Sequence, residues 1–252
     1  MSTKAPIALA GACGRMGSAV ERAVAAAPDL AIAFRADPKL AVAPGCGPDL
    51  SSLGVGSVSG IVDFTSGPGA AEAAEQAMRI GCVLVSGSTG IDDRARAALE
   101  KAARSVAVCW SPNFSVGIPL LTRALREAAR RLPAGWQIEI TEIHHGGKRD
   151  APSGTALRLA ETWKGERGGR LVHGRQGITG PRGADEIGLH ALRVGDVVGE
   201  HRVLLGSAGE TIEAVHRAQD RTAFASGCIE ALRRLLRQGP GWYEWESLLC
   251  GD

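Results

Sequence analysis

Aromatic residues are scarce, at 4% of 252 residues, whereas glycine occupies 34 positions. A core short of large rings has to be built from small aliphatic side chains, and a hydrophobic content of 44% is ample for one large domain or two compact ones. Such a composition suits parallel strands packed under alanine-rich helices. An excess of either charge is also missing: 29 basic against 27 acidic residues leave a net charge of +2, and neither sign forms a run. That balance argues against a nucleic-acid or membrane partner and favours a small molecule. The six cysteines (Cys13, Cys46, Cys82, Cys109, Cys228 and Cys250) lie far apart, with no CxxC pair and no Cys/His spacing suited to zinc. They read as free thiols in a reducing compartment, with no metal expected. No long apolar run offers a membrane span, and the opening MSTKAPIALAGACG lacks the apolar region and cleavage site of a signal peptide. A cytoplasmic, non-membrane protein is expected.

What is present is a rhythm of strands and helices. Residues 7–10 form a short apolar strand that runs into GACGRMG, and the VERAVAAA that follows has helical composition. Strands are expected at 30–36, 60–64, 83–86 and 106–110, with helices at 70–80 and 92–105 between them. That alternation predicts a parallel, doubly wound, Rossmann-like sheet. The rhythm then breaks. An amphipathic helix from 116 to about 132 precedes a strand at 136–143, a histidine-containing segment and a helix opening near Ser153. Segments 186–194, 197–205 and 211–218, joined by glycine turns, read as antiparallel strands. The expectation is an α/β chain: a dinucleotide-binding domain over 1–115, completed by the C-terminal helix within 222–252, and a second α+β domain over 116–221 with a mixed or antiparallel sheet.

Gly11, Gly14 and Gly17 lie in a strand-turn-helix context, where missing side chains let backbone amides approach a pyrophosphate and let the helix pack closely on the strand. The helix start faces that site with N–H groups and the positive end of its dipole. Arg15 reads equally as a phosphate contact or as a solvated charge. Asp37 closes the second strand where a carboxylate accepts hydrogen bonds from a ribose. Arg35 and Lys39 flank it and can offset its repulsion of a 2′-phosphate, which leaves NADH and NADPH both open. The turns DFTSGPG and SGSTG, with Phe64, Thr65, Gly87, Ser88, Thr89 and Gly90, fall beyond the carboxyl ends of the next strands, where the rest of a dinucleotide passes.

The densest titratable cluster follows the strand at 136–143: His144, His145, Lys148, Arg149 and Asp150. Adjacent side chains on extended backbone point to opposite sides, so only one of the two histidines can face a given pocket closely. Ser153 is a good N-cap, and Gly154 and Thr155 then present the first N–H groups of a helix, with the Thr155 hydroxyl beside them. An anionic group lodged there sits near the Lys148 ammonium. Together these residues point to a nicotinamide-dependent reductase of an anionic substrate.

The blocks GACGRMG, VDFT, GSTG, SPNFSVG, EIHHGGKRDAPSGTA, RQGITGPR and RVGDVVGEH, in this order, resemble those of the 4-hydroxy-tetrahydrodipicolinate reductases of bacterial lysine biosynthesis, formerly called dihydrodipicolinate reductases. The resemblance implies hydride transfer from NADH or NADPH to a cyclic, unsaturated dicarboxylate, giving tetrahydrodipicolinate with loss of water. It implies His144 as general acid, Lys148 as a substrate-binding and proton-donating group, and His145, Gly154 and Thr155 as substrate contacts. Cofactor contacts are implied at Gly11, Arg15, Met16, Asp37, Gly87, Thr89, Ser111, Asn113 and Phe114. It also implies a homotetramer assembled through the second domain. Three departures stand out: Ser88 within GSTG, where the family has Gly-Thr-Thr-Gly; Pro38 after Asp37, where some members carry arginine; and Cys13 inside the phosphate loop, expected to be a small buried thiol. Without the resemblance, the residues also fit another two-domain Rossmann dehydrogenase acting on a keto or imino acid, or a non-catalytic NAD(P)H sensor.

Overall fold

The computed structural model describes residues 4–251. The chain divides into two units, one reaching to Val116 and resuming at Arg221, the other Gly117–Asp220.

In the first unit, β1 (Ala5–Ala10), α1 (Arg15–Ala25), β2 (Leu30–Ala36), β3 (Cys46–Gly47), β4 (Gly60–Asp63), α2 (Gly67–Ile80), β5 (Val83–Ser86), α3 (Asp93–Ala102) and β6 (Ala107–Trp110) follow one another. The chain returns later with α6 (Thr222–Leu235), β12 (Gly241–Trp242) and α7 (Trp245–Cys250). The seven strands are parallel, in the order β12-β6-β5-β4-β1-β2-β3. The order in which strands are added reverses between β1 and β4, the crevice where doubly wound folds bind ligands. Alternation along β1 serves two cores: Ile7 and Leu9 pack with Val20, Val24, Ile229 and Leu232 of α1 and α6, while Ala8 and Ala10 join Ala74, Ala77 and Leu99 of α2 and α3. Each fully buried isoleucine or leucine contributes about 2 kcal/mol. Helix limits follow local chemistry. Ser66 caps α2, which carries proline in its first turn and ends at Gly81 with φ 77°, and Asp92 caps α3 by accepting from Ala95 N–H at 2.8 Å.

The second unit holds α4 (Gly117–Arg131), β7 (Gln137–His144), α5 (Gly154–Arg167), β8 (Arg170–His173), β9 (Glu186–Arg193), β10 (Gly199–Ser207) and β11 (Glu210–Ala218). Its sheet runs β11-β10-β7-β9-β8. The antiparallel reading holds for β10 against β7 and β11, but β9 lies parallel to β7 and β8 parallel to β9. The reason is the crossover through α5, which carries the chain back so that the following strands run in the direction of β7. The sheet is therefore mixed. Its inner face carries Ile138, Ile140, Ile187, Leu189, Val203 and Leu205 against Leu125, Leu159 and Trp163 of α4 and α5. On the outer face, Glu139 of β7 accepts from Arg175 at 2.9 Å and Arg182 at 3.0 Å, and this pins the RQGITGPR loop to the sheet. Among the described residues no helix is long and apolar enough to cross a membrane.

Candidate active site

The first unit gathers its expected residues at the carboxyl ends of β1, β2, β5 and β6. Gly11 adopts φ 78°, and a Cβ there would stand 2.4 Å from the Phe64 carbonyl oxygen. A Cβ on Gly17 would stand 2.3 Å from the Gly11 oxygen, so α1 can lie this close to the loop only with glycine. Gly14 precedes α1 without a side-chain cap, and the first turn carries no acidic residue. Arg15 is exposed and Met16 half-buried at this helix start. The Asp37 carboxylate accepts from the backbone N–H groups of Cys13 at 3.1 Å and Lys39 at 3.0 Å, which ties the end of β2 to the glycine loop. Arg35 is held by Glu21 at 2.6 Å.

Cys13 is exposed, contrary to the buried thiol expected: it sits in the glycine loop on the surface, its backbone N–H donating to Asp37. Local desolvation and the nearby Asp37 charge raise its pKa, which disfavours the reactive thiolate.

Beyond β4 and β5, a carboxylate that was not singled out in the sequence organises both turns. Asp63 is fully buried and accepts from the Ser86 hydroxyl at 2.6 Å, the Ser88 hydroxyl at 2.8 Å and the Thr65 hydroxyl at 2.6 Å. Burial raises its pKa, with these hydrogen bonds opposing. Serine at position 88 thereby supplies a hydroxyl that the fold uses. Thr89 is exposed beside it and Gly87 half-buried. After β6, the Ser111 hydroxyl donates to the Asn113 carbonyl at 2.8 Å, and the Asn113 side chain accepts from Ser115 N–H at 2.8 Å. The Phe114 ring is buried, 6.4 Å from Phe64 and 5.8 Å from Trp245 between centroids.

In the second unit, strand register builds a separate cluster. Ile138 and Ile140 face the core, so the same phase carries Glu142 and His144 inward at the end of β7. Across the sheet Glu142 pairs with His201, which pairs with His216, and His144 pairs with Arg193. Glu142 is fully buried. Its Oε2 lies 2.5 Å from His144 Nδ1, Arg193 donates to both carboxylate oxygens at 2.9 and 2.8 Å, and Ser153 N–H donates at 3.1 Å. Burial alone would raise its pKa, but the hydrogen bonds from Arg193 and His144 bring it below the ordinary value. Burial lowers the His144 pKa; the Glu142 hydrogen bond opposes, and the Lys148 and Arg193 charges add to the fall.

Ser153 caps α5 by accepting from Ala156 N–H at 3.2 Å, and its hydroxyl sits 3.1 Å from His201 Nε2. Gly154 and Thr155 open this helix. Lys148 is mostly buried and its ammonium lies 2.9 Å from the Asp150 carboxylate, an exposed partner that an anionic ligand can displace. His145 points outward and is exposed. Thus His144, Lys148 and the start of α5 converge at one end of β7, while His145 lies on the other side of the backbone. Glu142, Arg193 and His201 were missed. The signal was the buried phase of β7, obscured because its apolar positions switch from 138 and 140 to 143.

Models of the N-terminal and C-terminal parts of dihydrodipicolinate reductase match residues 5–114 and 117–249. The chain belongs to the dihydrodipicolinate reductase family. It is similar to the 4-hydroxy-tetrahydrodipicolinate reductase of Rubrobacter xylanophilus, at 41% identity over 98% of each chain. It is also similar to that of Anaeromyxobacter dehalogenans, at 40% identity over 96% of this chain and 97% of the relative. In fold it is similar to a dipicolinate-bound dihydrodipicolinate reductase from Paenisporosarcina sp. TG-14, with a TM-score of 0.79 and 22% identity over 96% of this chain and 98% of the other. A likeness at TM-score 0.59 and 17% identity extends to the C. glutamicum DAP dehydrogenase in complex with DAP, over 99% of this chain and 97% of that one. Within this chain, GACGRMG spans the β1-α1 turn and the start of α1, EIHHGGKRDAPSGTA spans the end of β7 to the start of α5, and the RVGDVVGEH block delivers His201.

Proposed function

We propose that the chain reduces 4-hydroxy-tetrahydrodipicolinate to tetrahydrodipicolinate with NADH or NADPH, as a cytoplasmic homotetramer in diaminopimelate and lysine biosynthesis. The observation that carries this reading is the convergence of His144, Lys148 and the α5 start on one end of β7, in a chain about 40% identical to reductases of that name over nearly its full length.

The first unit fits a dinucleotide. Gly11 and Gly17 leave the loop no side chains at its closest approaches, Gly14 leaves the α1 start without a side-chain cap, and no carboxylate stands in its first turn to repel a phosphate. Gly11, Arg15 and Met16 hold the pyrophosphate, Asp37 the adenine ribose, and Gly87, Thr89, Ser111, Asn113 and Phe114 the segments beyond β5 and β6. Bound there, the nicotinamide supplies the hydride.

In the second unit, one substrate carboxylate rests on the Gly154 and Thr155 end of α5, and Lys148 leaves Asp150 to pair with it; His145 lines the rim. Overall the substrate gains a hydride and a proton and loses water. His144, as imidazolium, gives the proton at the position conjugate to the carbon that takes the hydride. The substrate's two negative charges favour that imidazolium, against the burial that disfavours it in the free protein. The five-stranded sheet supports assembly, because Leu192, Leu204 and Val215 on its outer face are at least 36% exposed.

The test is NAD(P)H oxidation with freshly generated synthase product. Wild-type protein should turn over, and Lys148→Ala should lose roughly 100- to 10,000-fold in kcat/KM with little change in NADH affinity, since Lys148 serves substrate and transition state alone. Wild-type turnover by this variant would remove Lys148 from the site, and no oxidation by wild type would remove the activity.

A further inference from the structure

Three groups that differ in charge meet on the Glu142 carboxylate: the His144 ring nitrogen, the Arg193 guanidinium and the Ser153 amide at the start of α5. Arg193 also donates to the Asp150 carbonyl at 2.7 Å, which braces the segment that follows Lys148. We infer that Glu142 is a positioning residue: its carboxylate dictates which nitrogen of His144 carries the hydrogen and holds the α5 start in register with that ring. The inference rests on the reading that His144 gives the proton.

The chemistry follows from the contacts. A carboxylate only accepts, and two hydrogen bonds from Arg193 keep this one ionised, so His144 Nδ1 must carry a hydrogen toward it. Nε2 is then the nitrogen left to exchange a proton with a ligand, and loss of Glu142 frees the ring to take the opposite tautomer. Packing fixes the same orientation. A Cβ on Gly199 would stand 3.1 Å from Nε2, and the His201 ring lies edge-on with centroids 5.2 Å apart. The charged and titratable groups around His144 are Glu142 on its own strand, Arg193 on β9, His201 on β10 with His216 beyond it on β11, and Lys148 with Asp150 in the following segment. Of these, only Glu142 both touches the ring and favours its protonation.

The test combines an observation on wild-type protein with a variant. Ring-nitrogen NMR of histidine-labelled protein at pH 8, with the His144 signals assigned by their absence from His144→Gln, should show hydrogen on Nδ1; hydrogen on Nε2 overturns the inference. Glu142→Gln should lower kcat roughly 10- to 100-fold with KM within about threefold of wild type. The limb on which kcat falls with rising pH should move to lower pH, because the imidazolium has lost its counter-charge, and Glu142→Asp should recover part of kcat. Introduced into His144→Gln, the same change should cost less than about threefold, since its effect passes through His144. An equal loss in both backgrounds, or an unchanged pH limb, overturns the positioning role. Full activity of His144→Gln instead removes the proton-donor reading beneath it, whereas impaired His144→Gln beside unimpaired Glu142→Gln removes the positioning role alone.

Discussion

The row Glu142, His201, His216 places titratable groups on the sheet face that carries the isoleucine, leucine and valine core, and burial lowers the pKa of both histidines. His201 shows this most strongly. It is 3% exposed, its Nδ1 has no partner among the described residues, and burial brings its pKa from 6.5 to about 3. A group whose pKa is depressed by folding stabilises the fold above its unfolded value, and that contribution is lost as pH falls toward the folded value. The window here runs from about pH 6.5 to about pH 3. By pH 5 the unfolded chain has taken up a proton that the folded one refuses, a loss of about 2 kcal/mol. In His201→Gln, the difference in unfolding free energy between pH 7.5 and pH 5 should therefore shrink by about that amount, read by equilibrium urea titration at each pH. Equal pH dependence in the two proteins would mean that His201 accepts a proton within the fold. Nothing in the sequence distinguishes this histidine from His145, which is exposed. The distinction comes from register, because His201 lies in phase with Val203 and Leu205 on the core face.

At the level of elements, α5 links stability to binding. Ser153 caps it, receives the buried His201 edge and gives its own amide to Glu142, so a single residue joins the helix to β7 and β10. Ser153→Ala should cost about 1–2 kcal/mol of stability, and because the frayed end is the proposed carboxylate site, it should raise KM for substrate more than it lowers kcat. Thermal unfolding and steady-state kinetics check this; a drop in kcat at constant KM would place the role of Ser153 with the proton chemistry and not with binding. This cap was legible from DAPSG because capping is a local property. So were α2, α3 and the glycine loop, whose punctuation lies in adjacent residues. What stayed hidden depends on partners distant in sequence. The direction of β9 is set by the crossover through α5. The four-residue β8 and the two-residue β3 and β12 are too short for periodicity and exist only because a longer strand offers them an edge. Glu142 was not singled out in the sequence, where the apolar Ile143 follows it, and its role emerged only once Arg193 and Ser153 were brought beside it.

On the scale of the whole molecule, the two sheets use their faces differently. The seven-stranded sheet is covered by helices on both sides, and the alternating residues of β1 feed two cores. The five-stranded sheet has α4 and α5 on its inner face only. Its outer face combines salt-bridged charge around Glu139, Arg175, Arg182 and His190 with exposed apolar side chains at Leu192, Leu204 and Val215. The Glu139 carboxyl is desolvated, yet its hydrogen bonds to Arg175, His190 and Arg182 hold its pKa at about 2. The Glu139 carboxylate therefore stays ionised at any pH used for assay, and the face offers charge beside apolar surface for the proposed docking of a second copy. In register, Leu204 stands opposite Glu139 on β7 and Glu213 on β11, near the middle of this face. Leu204→Glu sets a third carboxylate between those two and replaces apolar area by like charge, a change disfavoured in direct cross-strand pairs and in any interface core. The inner-face core is untouched, so the protomer should stay folded. Light scattering after size exclusion should report a tetramer for wild type and a smaller species for Leu204→Glu, with near-wild-type circular dichroism and NADH affinity. A tetramer of undiminished stability in the variant would move the assembly surface off this sheet.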